Sequence, residues 1–509
     1  MPESADIAPN AAPNRVEGLA ALDAAVARDL EYLCRPPANW VPPRQVGGEA
    51  VTDVVIIGGG MCGLLAWFAL QTAGIRNVRI LDRAPRGFEG PWVTYARMET
   101  LRSPKQLVGP AYGMATLTFR AWFTAQFGEA EWEALDKIPR PMWMDYLRWY
   151  RRVLGVPVEN EVHVERIAPE GDLVRLDIDG EGAHERSILA RKVVMATGRD
   201  GLGNPNIPSF VNDLPRSSWA HSADEIDFEA LKDKRVAVIG IGASAVDNAA
   251  EALEHGAREV RMLIRRKEMP TINKMMGIGS YGFSAGFPEL PDEWRWRYML
   301  YSAITQVPAP RGSTLRVSRH DNAFFHFGKG VVRMSQVGEE VLIEMTDGTR
   351  LLTDFVILGT GFTVEPLART ELTGYADKIV LWGDRYSPPE GEANEELANF
   401  PYLSPDFSFR SDDPDAEHFL KNIHAFNYAA TVSLGKVSGD IPGVSDGAAW
   451  LARALAANLY VEDVAVQYQR LVDYDKPELL GDEWTASELE ELTGDDVTTN
   501  SPHPLRAAE

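Results

Sequence analysis

Two stretches of the chain combine an apolar run, a glycine-rich turn and a second apolar run with helical spacing. The first is DVVIIGGGMCGLLAWFAL at residues 53–70, and the second is RVAVIGIGASAV at residues 235–246. A short buried strand that leads through a glycine turn into a helix is typical of a dinucleotide-binding unit. The pattern therefore predicts two nucleotide-binding units in one chain.

The remaining segments predict the elements around these units. VRILDR at 78–83 is the expected second strand of the first unit, and the aromatic-rich residues 117–155 have the spacing of two or three packed helices. Period-two segments at 162–198 and 331–362 predict strands that end in Ala-Thr-Gly and Gly-Thr-Gly. Because of their helical spacing, five tryptophans are predicted to be core rather than a substrate cage: Trp92, Trp122, Trp132, Trp143 and Trp149.

The first glycine turn has the spacing Gly58-x-Gly60-x-x-Gly63, which allows a tight turn, close approach of a pyrophosphate and helix-strand contact. Asp82 follows Gly63 by 19 positions and ends the next predicted strand. An acidic side chain at that place accepts hydrogen bonds from the hydroxyls of an adenosine ribose. The first unit therefore predicts FAD or NAD. Neighbouring residues assigned to the same site are Met61, Cys62 and Arg83.

The second glycine turn begins at Gly240 and has alanine in place of the third glycine. Its next strand ends in Arg265 and Arg266, where the first unit has an acidic residue. A guanidinium there suits the 2′-phosphate of NADPH, and the alternative is a basic surface turn. NADPH is therefore predicted for this unit. The turn residues assigned to it are Gly242, Ala243 and Ser244.

An FAD domain with an inserted NADPH domain brings a nicotinamide against a flavin ring for hydride transfer. The predicted fold class is α/β, with two Rossmann-like dinucleotide-binding domains, a helical subdomain and an N-terminal arm. The arm is expected to cap the main body or a dimer partner, so a homodimer is one expected assembly. The predicted limits are 1–50 for the arm, 51–215 for the first part of the FAD domain with a helical insertion at 110–155, 216–340 for the NADPH domain, 341–470 for the second part of the FAD domain and 471–509 for an acidic tail.

Length, charge and cysteine usage exclude several function classes. A chain of 509 residues is expected to form two or three domains, and its net charge of -23 argues against nucleic acid or an anionic membrane as partner. The start lacks the basic and apolar regions of a secretory signal, so a cytoplasmic location is expected. The two cysteines, Cys34 and Cys62, form no CxxC pair. This argues against a bound metal cluster and against a flavin disulfide reductase, which needs a redox-active cysteine pair.

The order of motifs along residues 50–460 is more specific than any one of them. After the first glycine turn come GPW at 90–92, RSPK at 102–105, ATG at 196–198, His221, the second glycine turn and GTGF at 359–362. In this order the chain resembles the class B flavoprotein monooxygenases, which include flavin-containing, N-hydroxylating and Baeyer-Villiger monooxygenases.

The resemblance implies a reaction and its cofactors. NADPH would reduce FAD, O2 would form a C4a-(hydro)peroxyflavin, and one oxygen atom would pass to a small organic substrate. Among the products, N-hydroxylation is preferred over Baeyer-Villiger or sulfur oxygenation, because the Baeyer-Villiger ending of the fingerprint is missing. A non-oxygenating NADPH-dependent flavin reductase or oxidase is the competing class. Further cofactor residues implied by the family motifs are Gly90, Trp92, Thr197, Gly198, Thr360, Gly361, Gly443 and Val444.

Residues 94–107 are predicted to form the wall that faces the flavin. There Arg97, Arg102 and Lys105 would hold a pyrophosphate, polarise the flavin peroxide or clamp an anionic substrate. The alternative for each is a solvated loop residue.

Two further candidates come from less well matched motifs. His221 stands in the family fingerprint, but Pro215 and Ser217 replace its Phe and Gly, so cofactor positioning and a purely structural role both stay open. Arg316 or Arg319 matches a connector arginine that stabilises the peroxide in Baeyer-Villiger enzymes, and the alternative is a linker with surface arginines.

Overall fold

A computed structural model describes residues 15–199 and 201–489 of the protein. These residues divide into two compact units, one that ends at Glu462 and one that begins at Asp463. Both glycine turns lie in the first unit. The second unit contains the helix Val464–Val472 and starts before the predicted tail boundary at residue 471. Residues 1–14 of the arm and 490–509 of the tail lie outside the described residues.

The strands of the described residues, in chain order, are β1 (Gln45–Val46), β2 (Glu49–Ala50), β3 (Thr52–Ile57), β4 (Val78–Asp82), β5 (Val158–Asn160), β6 (His163–Glu170), β7 (Leu173–Asp179), β8 (Ser187–Met195), β9 (Trp219–His221), β10 (Arg235–Ile239), β11 (Glu259–Ile264), β12 (Ala323–Phe327), β13 (Val331–Val337), β14 (Glu340–Met345), β15 (Arg350–Thr353), β16 (Phe355–Leu358) and β17 (Ile423–His424).

The α-helices are α1 (Arg15–Tyr32), α2 (Met61–Thr72), α3 (Phe119–Ala134), α4 (Arg140–Val153), α5 (Ala243–Glu254), α6 (Tyr281–Gly286), α7 (Asp292–Thr305), α8 (Arg311–Ser318), α9 (Trp382–Arg385), α10 (Glu395–Ala398), α11 (Pro414–Leu420), α12 (Thr431–Leu434), α13 (Val444–Glu462) and α14 (Val464–Val472).

The first nucleotide-binding unit is built on a mixed sheet with the order β5-β4-β3-β8-β7-β6, and β17 also pairs with β8. Four neighbouring strands of this sheet are parallel, namely β5, β4, β3 and β8. The sheet continues from β8 as an antiparallel meander through β7 and β6. Its central strand β3 is buried along nearly its whole length, as expected for a parallel strand covered on both faces. The helix α2 is apolar on all sides and packs into the same core.

The second nucleotide-binding unit is built on a five-stranded parallel sheet with the order β12-β11-β10-β16-β9. Alternate side chains of β10 enter different cores. Val236 and Val238 pack with α5, whereas Ala237 and Ile239 pack with the antiparallel strands β13-β14-β15. This division follows from the two-residue period of a strand.

Two antiparallel segments connect the units. Asn206 N donates to Gly361 O at 2.8 Å, Thr363 N to Asn204 O at 2.9 Å and Glu365 N to Leu202 O at 2.7 Å. Gly203 lies in this crossing, where a Cβ would be 1.9 Å from the carbonyl oxygen of Thr363. The chain therefore leaves the first nucleotide-binding unit and returns to it through two adjacent antiparallel segments.

The predicted limits of the inserted domain, 216 and 340, stay predictions, although elements outside both limits pack or pair with the inserted sheet. Val211 and Leu214 pack into the core below β13–β15, and β16 is hydrogen-bonded between β10 and β9. We therefore propose limits of about residue 207 and Gly359 for the inserted unit. The alternating pattern at 340–358 does not reveal to which sheet the strands belong, because only their pairing partners decide it.

The helical subdomain and the arm agree with the sequence predictions. Trp122, Trp132, Trp143 and Trp149 are buried in the core around α3 and α4, while Trp92 is half-buried. In the arm, Asp23 of α1 accepts hydrogen bonds from Trp149 Nε1 and Arg152 Nη1, each at 2.8 Å. The arm helix therefore caps the main body of its own chain. Within residues 15–199 and 201–489, no helix has the length and apolar character needed to cross a membrane.

His424, which ends β17, predicts a pH dependence of stability. Its Nδ1 donates to Asp406 O at 2.7 Å, and its Nε2 has no hydrogen-bond partner among the described residues. Burial lowers the pKa of His424 to about 4, so the unfolded chain binds an extra proton below pH 6.5. We expect this group to remove up to about 3 kcal/mol of the free energy of unfolding between pH 6.5 and 4. Urea unfolding at pH 7 and pH 4.5 should show a smaller loss in His424→Asn, and an equal loss would contradict this account.

Candidate functional site

The first glycine turn brings the start of α2 against the end of β8. Gly58 has φ +105°, and a Cβ there would lie 2.5 Å from the carbonyl oxygen of Ala196. Gly63 crosses so close that its Cβ would be 1.8 Å from Gly58 O. Gly60 is the N-cap of α2 and provides no side-chain cap, so the first backbone N–H groups of the helix are left for an anion. These features fit a bound pyrophosphate.

Asp82 lies at the end of β4 beside this turn. Its Oδ2 accepts from Gly59 N at 2.6 Å, and its Oδ1 accepts from Ala84 N at 2.7 Å. Burial raises the pKa of Asp82, and these two hydrogen bonds oppose that effect. Each oxygen keeps a further lone pair for a ribose hydroxyl. Arg83 follows it as an exposed side chain.

The second glycine turn repeats this geometry in the inserted unit. Gly240 has φ +117°, and its Cβ would be 2.6 Å from Gly359 O at the end of β16. Gly242 is the N-cap of α5 and again provides no side-chain cap. At the end of β11, Arg266 Nη2 donates to Ile304 O at 2.8 Å, whereas Arg265 is exposed and makes no hydrogen bond within the described residues. Arg265 is therefore the better placed of the two for a phosphate.

One cavity of about 2850 Å³ joins the two turns. It is lined by residues of both nucleotide-binding units, so two cofactors can meet in it. Predicted site residues that line it are Gly58, Gly60, Met61, Cys62, Asp82, Arg83, Gly90, Trp92, Arg97, Arg102, Lys105, Thr197, Gly198, Gly240, Gly242, Ala243, Ser244, Arg265, Arg266, Thr360, Gly361 and Gly443. Predicted residues outside the lining are Gly63, His221, Arg316 and Val444.

The three cations of the wall at residues 94–107 have different surroundings. Arg97 is half-buried and donates to Thr94 O at 2.6 Å and to Asp224 O at 3.3 Å. Lys105 is buried, and its Nζ donates to Trp132 O at 2.5 Å and to Glu133 O at 3.2 Å near the end of α3. Lys105 is thus held by a helix end, as expected for a cation at the negative end of a helix dipole. Arg102 makes no hydrogen bond within the described residues.

His221 holds the second Gly-Thr-Gly turn. Its Nδ1 accepts from Ala223 N at 3.1 Å, so its Nε2 carries the proton and donates to Gly361 O at 2.9 Å. Burial lowers the pKa of His221, which favours this neutral form. The side chain thereby holds Gly361, which lines the cavity, while the ring itself does not reach it.

Arg316 on α8 is buried among carboxylates of α5 rather than facing the cavity. It pairs with Glu254 at 2.6 Å and with Glu251 at 2.9 Å, and its Nη1 donates to Arg97 O at 3.2 Å. Burial alone would lower the pKa of Arg316, but these hydrogen bonds raise it. Arg319 forms an exposed pair with the same Glu254 at 2.5 Å. The geometry gives Arg316 a place between the inserted unit and the wall at 94–107.

The approach to α13 lies against the first glycine turn. The carbonyl of Ser438 accepts from the Cys62 thiol at 3.5 Å, and Tyr428 N donates to Gly198 O at 3.2 Å. Ser445 does not stand free at the helix start, since its Oγ donates to Gly109 O at 2.6 Å. Gly443 lines the cavity, whereas Val444 is fully buried behind it.

Sequence reasoning did not single out four polar side chains of the same cavity: Arg199, Asp247, Tyr428 and Asp440. Arg199 directly follows the Ala-Thr-Gly motif, and this position is the local signal that marks it. Asp247 lies four residues after Ala243 on α5 and is 2% exposed. For Tyr428 and Asp440, no local pattern marks their position, because the cavity collects them from distant parts of the chain.

Comparison with known proteins shows the family to which this chain belongs. Residues 55–278 match the family described as pyridine nucleotide-disulphide oxidoreductase. The chain is 38% identical over 466 residues to the FAD-dependent urate hydroxylase of Xanthomonas campestris pv. campestris. This alignment covers 91% of the chain and 98% of the relative. The protein belongs to the class B flavoprotein monooxygenases.

Solved structures agree on the fold of this monooxygenase. The ornithine hydroxylase of Pseudomonas aeruginosa superposes with a TM-score of 0.62 at 16% identity and covers 80% of this chain and 100% of its own. A flavin-containing monooxygenase of Stenotrophomonas maltophilia gives a TM-score of 0.53 at 20% identity and covers 80% and 98%. The predictions of an α/β fold with two Rossmann-like domains and of a monooxygenase enzyme are confirmed. The predicted cofactors agree with the relatives, since the urate hydroxylase is described as FAD-dependent and a Kutzneria ornithine N-hydroxylase was solved with reduced FAD and NADP+.

The disulphide in the family description does not extend to the chemistry of this chain. Its two cysteines are both free. Burial raises the pKa of Cys62 to about 12, which keeps the thiol protonated and unreactive at neutral pH. A redox-active pair is therefore missing.

Gly58→Ala tests the first turn as the FAD site. The added Cβ would meet Ala196 O, so the turn must open and we expect the FAD content of the purified protein to fall by about tenfold or more. Gly391→Ala is the matched control, because Gly391 also has a positive φ (+85°) but nothing lies within 4 Å of its Cβ position. Absorbance at 450 nm per polypeptide measures the content. Equal FAD loss in both variants would contradict a specific role of the turn.

Proposed function

We propose that this protein is an NADPH-dependent FAD monooxygenase that hydroxylates a small anionic nitrogen heterocycle of the urate type. One oxygen atom of O2 would enter the substrate, and the other would leave as water, with the hydride of NADPH and one further proton supplying its two electrons and two hydrogens. The observation that carries the proposal is the match to a urate hydroxylase along 98% of that relative. N-hydroxylation, the preference drawn from the sequence, stays a prediction, because the ornithine hydroxylase likeness at 16% identity concerns the fold.

The cofactors are assigned to the two turns by their neighbouring charges. FAD would lie at the first turn, with its pyrophosphate on the uncapped start of α2 and its adenosine ribose on Asp82. NADPH would lie at the second turn, with its pyrophosphate on the start of α5 and its 2′-phosphate on Arg265. The continuous cavity then allows the flavin and nicotinamide ends to meet between the two units.

Bound FAD would supply the redox chemistry by accepting the hydride of NADPH and activating O2. The residues of this chain would hold both cofactors and keep water from the reaction. Apolar side chains contribute to the lining for this purpose: Phe283, Phe287, Met299, Phe362, Phe400 and Val432.

The proposed function is tested by measuring whether NADPH and O2 consumption is coupled to oxygenation of the substrate. NADPH and O2 consumption by the FAD-loaded protein should rise on addition of urate, and mass spectrometry should find one ¹⁸O atom from ¹⁸O2 in the product. H2O2 release should fall as product formation rises. Stoichiometric H2O2 with no effect of urate and no labelled product would instead identify an NADPH oxidase.

Arg265→Ala tests the coenzyme assignment. Loss of a charge-assisted contact to the 2′-phosphate is expected to raise the KM for NADPH by about tenfold to a hundredfold. The KM for NADH should change little, because NADH has no phosphate there. Arg266→Ala should have the smaller effect, since Arg266 is engaged with Ile304 O. Equal effects on NADPH and NADH would refute the role of Arg265.

A further inference from the structure

The arginines of the cavity differ in what engages them. Seven arginines line it in the described part of the chain. The guanidinium groups of three of them, Arg97, Arg266 and Arg369, donate hydrogen bonds to acceptors of the protein. Four make no hydrogen bond to the described residues: Arg83, Arg102, Arg199 and Arg265. Arg83 and Arg265 stand at the ends of β4 and β11, where the adenosine ends of two nucleotides are expected. Arg102 and Arg199 are left without a cofactor assignment.

Arg199 is held by stacking rather than by hydrogen bonds. Its guanidinium carbon lies 4.2 Å from the centroid of the Tyr428 ring. The Tyr428 backbone is itself fixed, because its N–H donates to Gly198 O at 3.2 Å. Stacking orients a guanidinium and leaves the N–H groups at its edge free to donate. Arg199 is thus a preorganised donor for a planar oxyanion.

Arg102 lines the same cavity as Arg199, Asp247 and Asp440. Partial desolvation lowers the pKa of Arg102, and the carboxylates of Asp247 and Asp440 oppose that shift. Asp247 belongs to α5 at the second turn, and Asp440 belongs to the approach to α13 at the first turn. The cavity therefore collects these side chains from both nucleotide-binding units.

Asp247 adds an acceptor to this group. It is 2% exposed, and its Oδ1 accepts no hydrogen bond from the described residues, although Arg316 Nη1 lies 4.0 Å away. Asp440 is half-buried and lies 3.9 Å from Lys436 Nζ. Two cations and two carboxylates suit a ligand that presents both an anionic oxygen and N–H donors.

We propose that Arg199, stacked on Tyr428, and Arg102 form the binding site for the anionic oxygens of the substrate, with Asp247 and Asp440 accepting from its N–H groups. This assignment rests on the proposed function for the identity of the substrate, but not for the presence of an anion site. The two arginines are substrate-binding residues that set specificity for planar anions.

Calorimetric titration of the oxidised, FAD-loaded protein tests the site without turnover. The probes are urate, benzoate and benzamide, which is the neutral isostere of benzoate. We expect the wild type to bind urate, and benzoate more tightly than benzamide. Arg199→Gln should weaken both anions by about tenfold or more, leave benzamide and the KM for NADPH unchanged, and be partly rescued by Arg199→Lys. Arg102→Gln should act in the same direction.

Arg410→Gln is the matched control for loss of a stacked arginine. Arg410 lies 5.5 Å from the Tyr402 ring centroid and does not line the cavity. This variant should bind all three probes as the wild type does, which separates local binding from general destabilisation. Folding of each variant is checked by its FAD content and thermal midpoint.

The outcomes distinguish the two proposals. If urate is neither bound nor hydroxylated but benzoate binding depends on Arg199, the anion site stands and the urate function fails. If urate is hydroxylated but Arg199→Gln binds both anions as tightly as wild type, the anion site is overturned. A change confined to the KM for NADPH would assign Arg199 to the coenzyme and also overturn it, as would a wild type that binds neither anion.

Discussion

The close approach of backbone to backbone at the two glycine turns is the constraint on which this structure depends. At each turn a glycine with positive φ lies against a carbonyl from the end of a neighbouring parallel strand, Ala196 for Gly58 and Gly359 for Gly240. No side chain fits in either gap. Because the turns are this tight, α2 and α5 start directly at the carboxyl edges of their sheets, with uncapped N–H groups on a common cavity.

The position of one unit relative to the other is maintained by contacts that are not themselves in the cavity. The antiparallel crossing at 202–206 and 361–365 joins the units through backbone hydrogen bonds. His221 holds Gly361 from the side of the inserted sheet, and Arg316 holds the carbonyl of Arg97 from α8. Both residues are therefore suited to positioning the walls of the cavity. This is a different use of a histidine and an arginine from direct contact with a flavin.

The sequence predicts the two Rossmann-like glycine turns because the pattern that marks each of them is local. Strand, glycine spacing, helix and the charged end of the next strand lie within about thirty residues and are dictated by steric fit and hydrogen bonding along one segment. The same reasoning was less successful where a residue's role depends on a distant partner. Lys105 reads as an active-site cation in sequence, but its ammonium is engaged by carbonyls of α3. Arg316 is surrounded by the carboxylates of α5, which precede it by about sixty residues.

The sequence by itself determined the two Rossmann-like units, their order and the opposite charges of Asp82 and Arg265 at their strand ends, since each depends on residues close together in the chain. Only the tertiary structure decided to which sheet β16 belongs, because this depends on its pairing with β10 and β9. It also decided which arginines are available for ligands. Arg199, Tyr428, Asp247 and Asp440 line one cavity only because the fold brings the ends of β8, α5 and the approach to α13 together, and no local pattern records that arrangement.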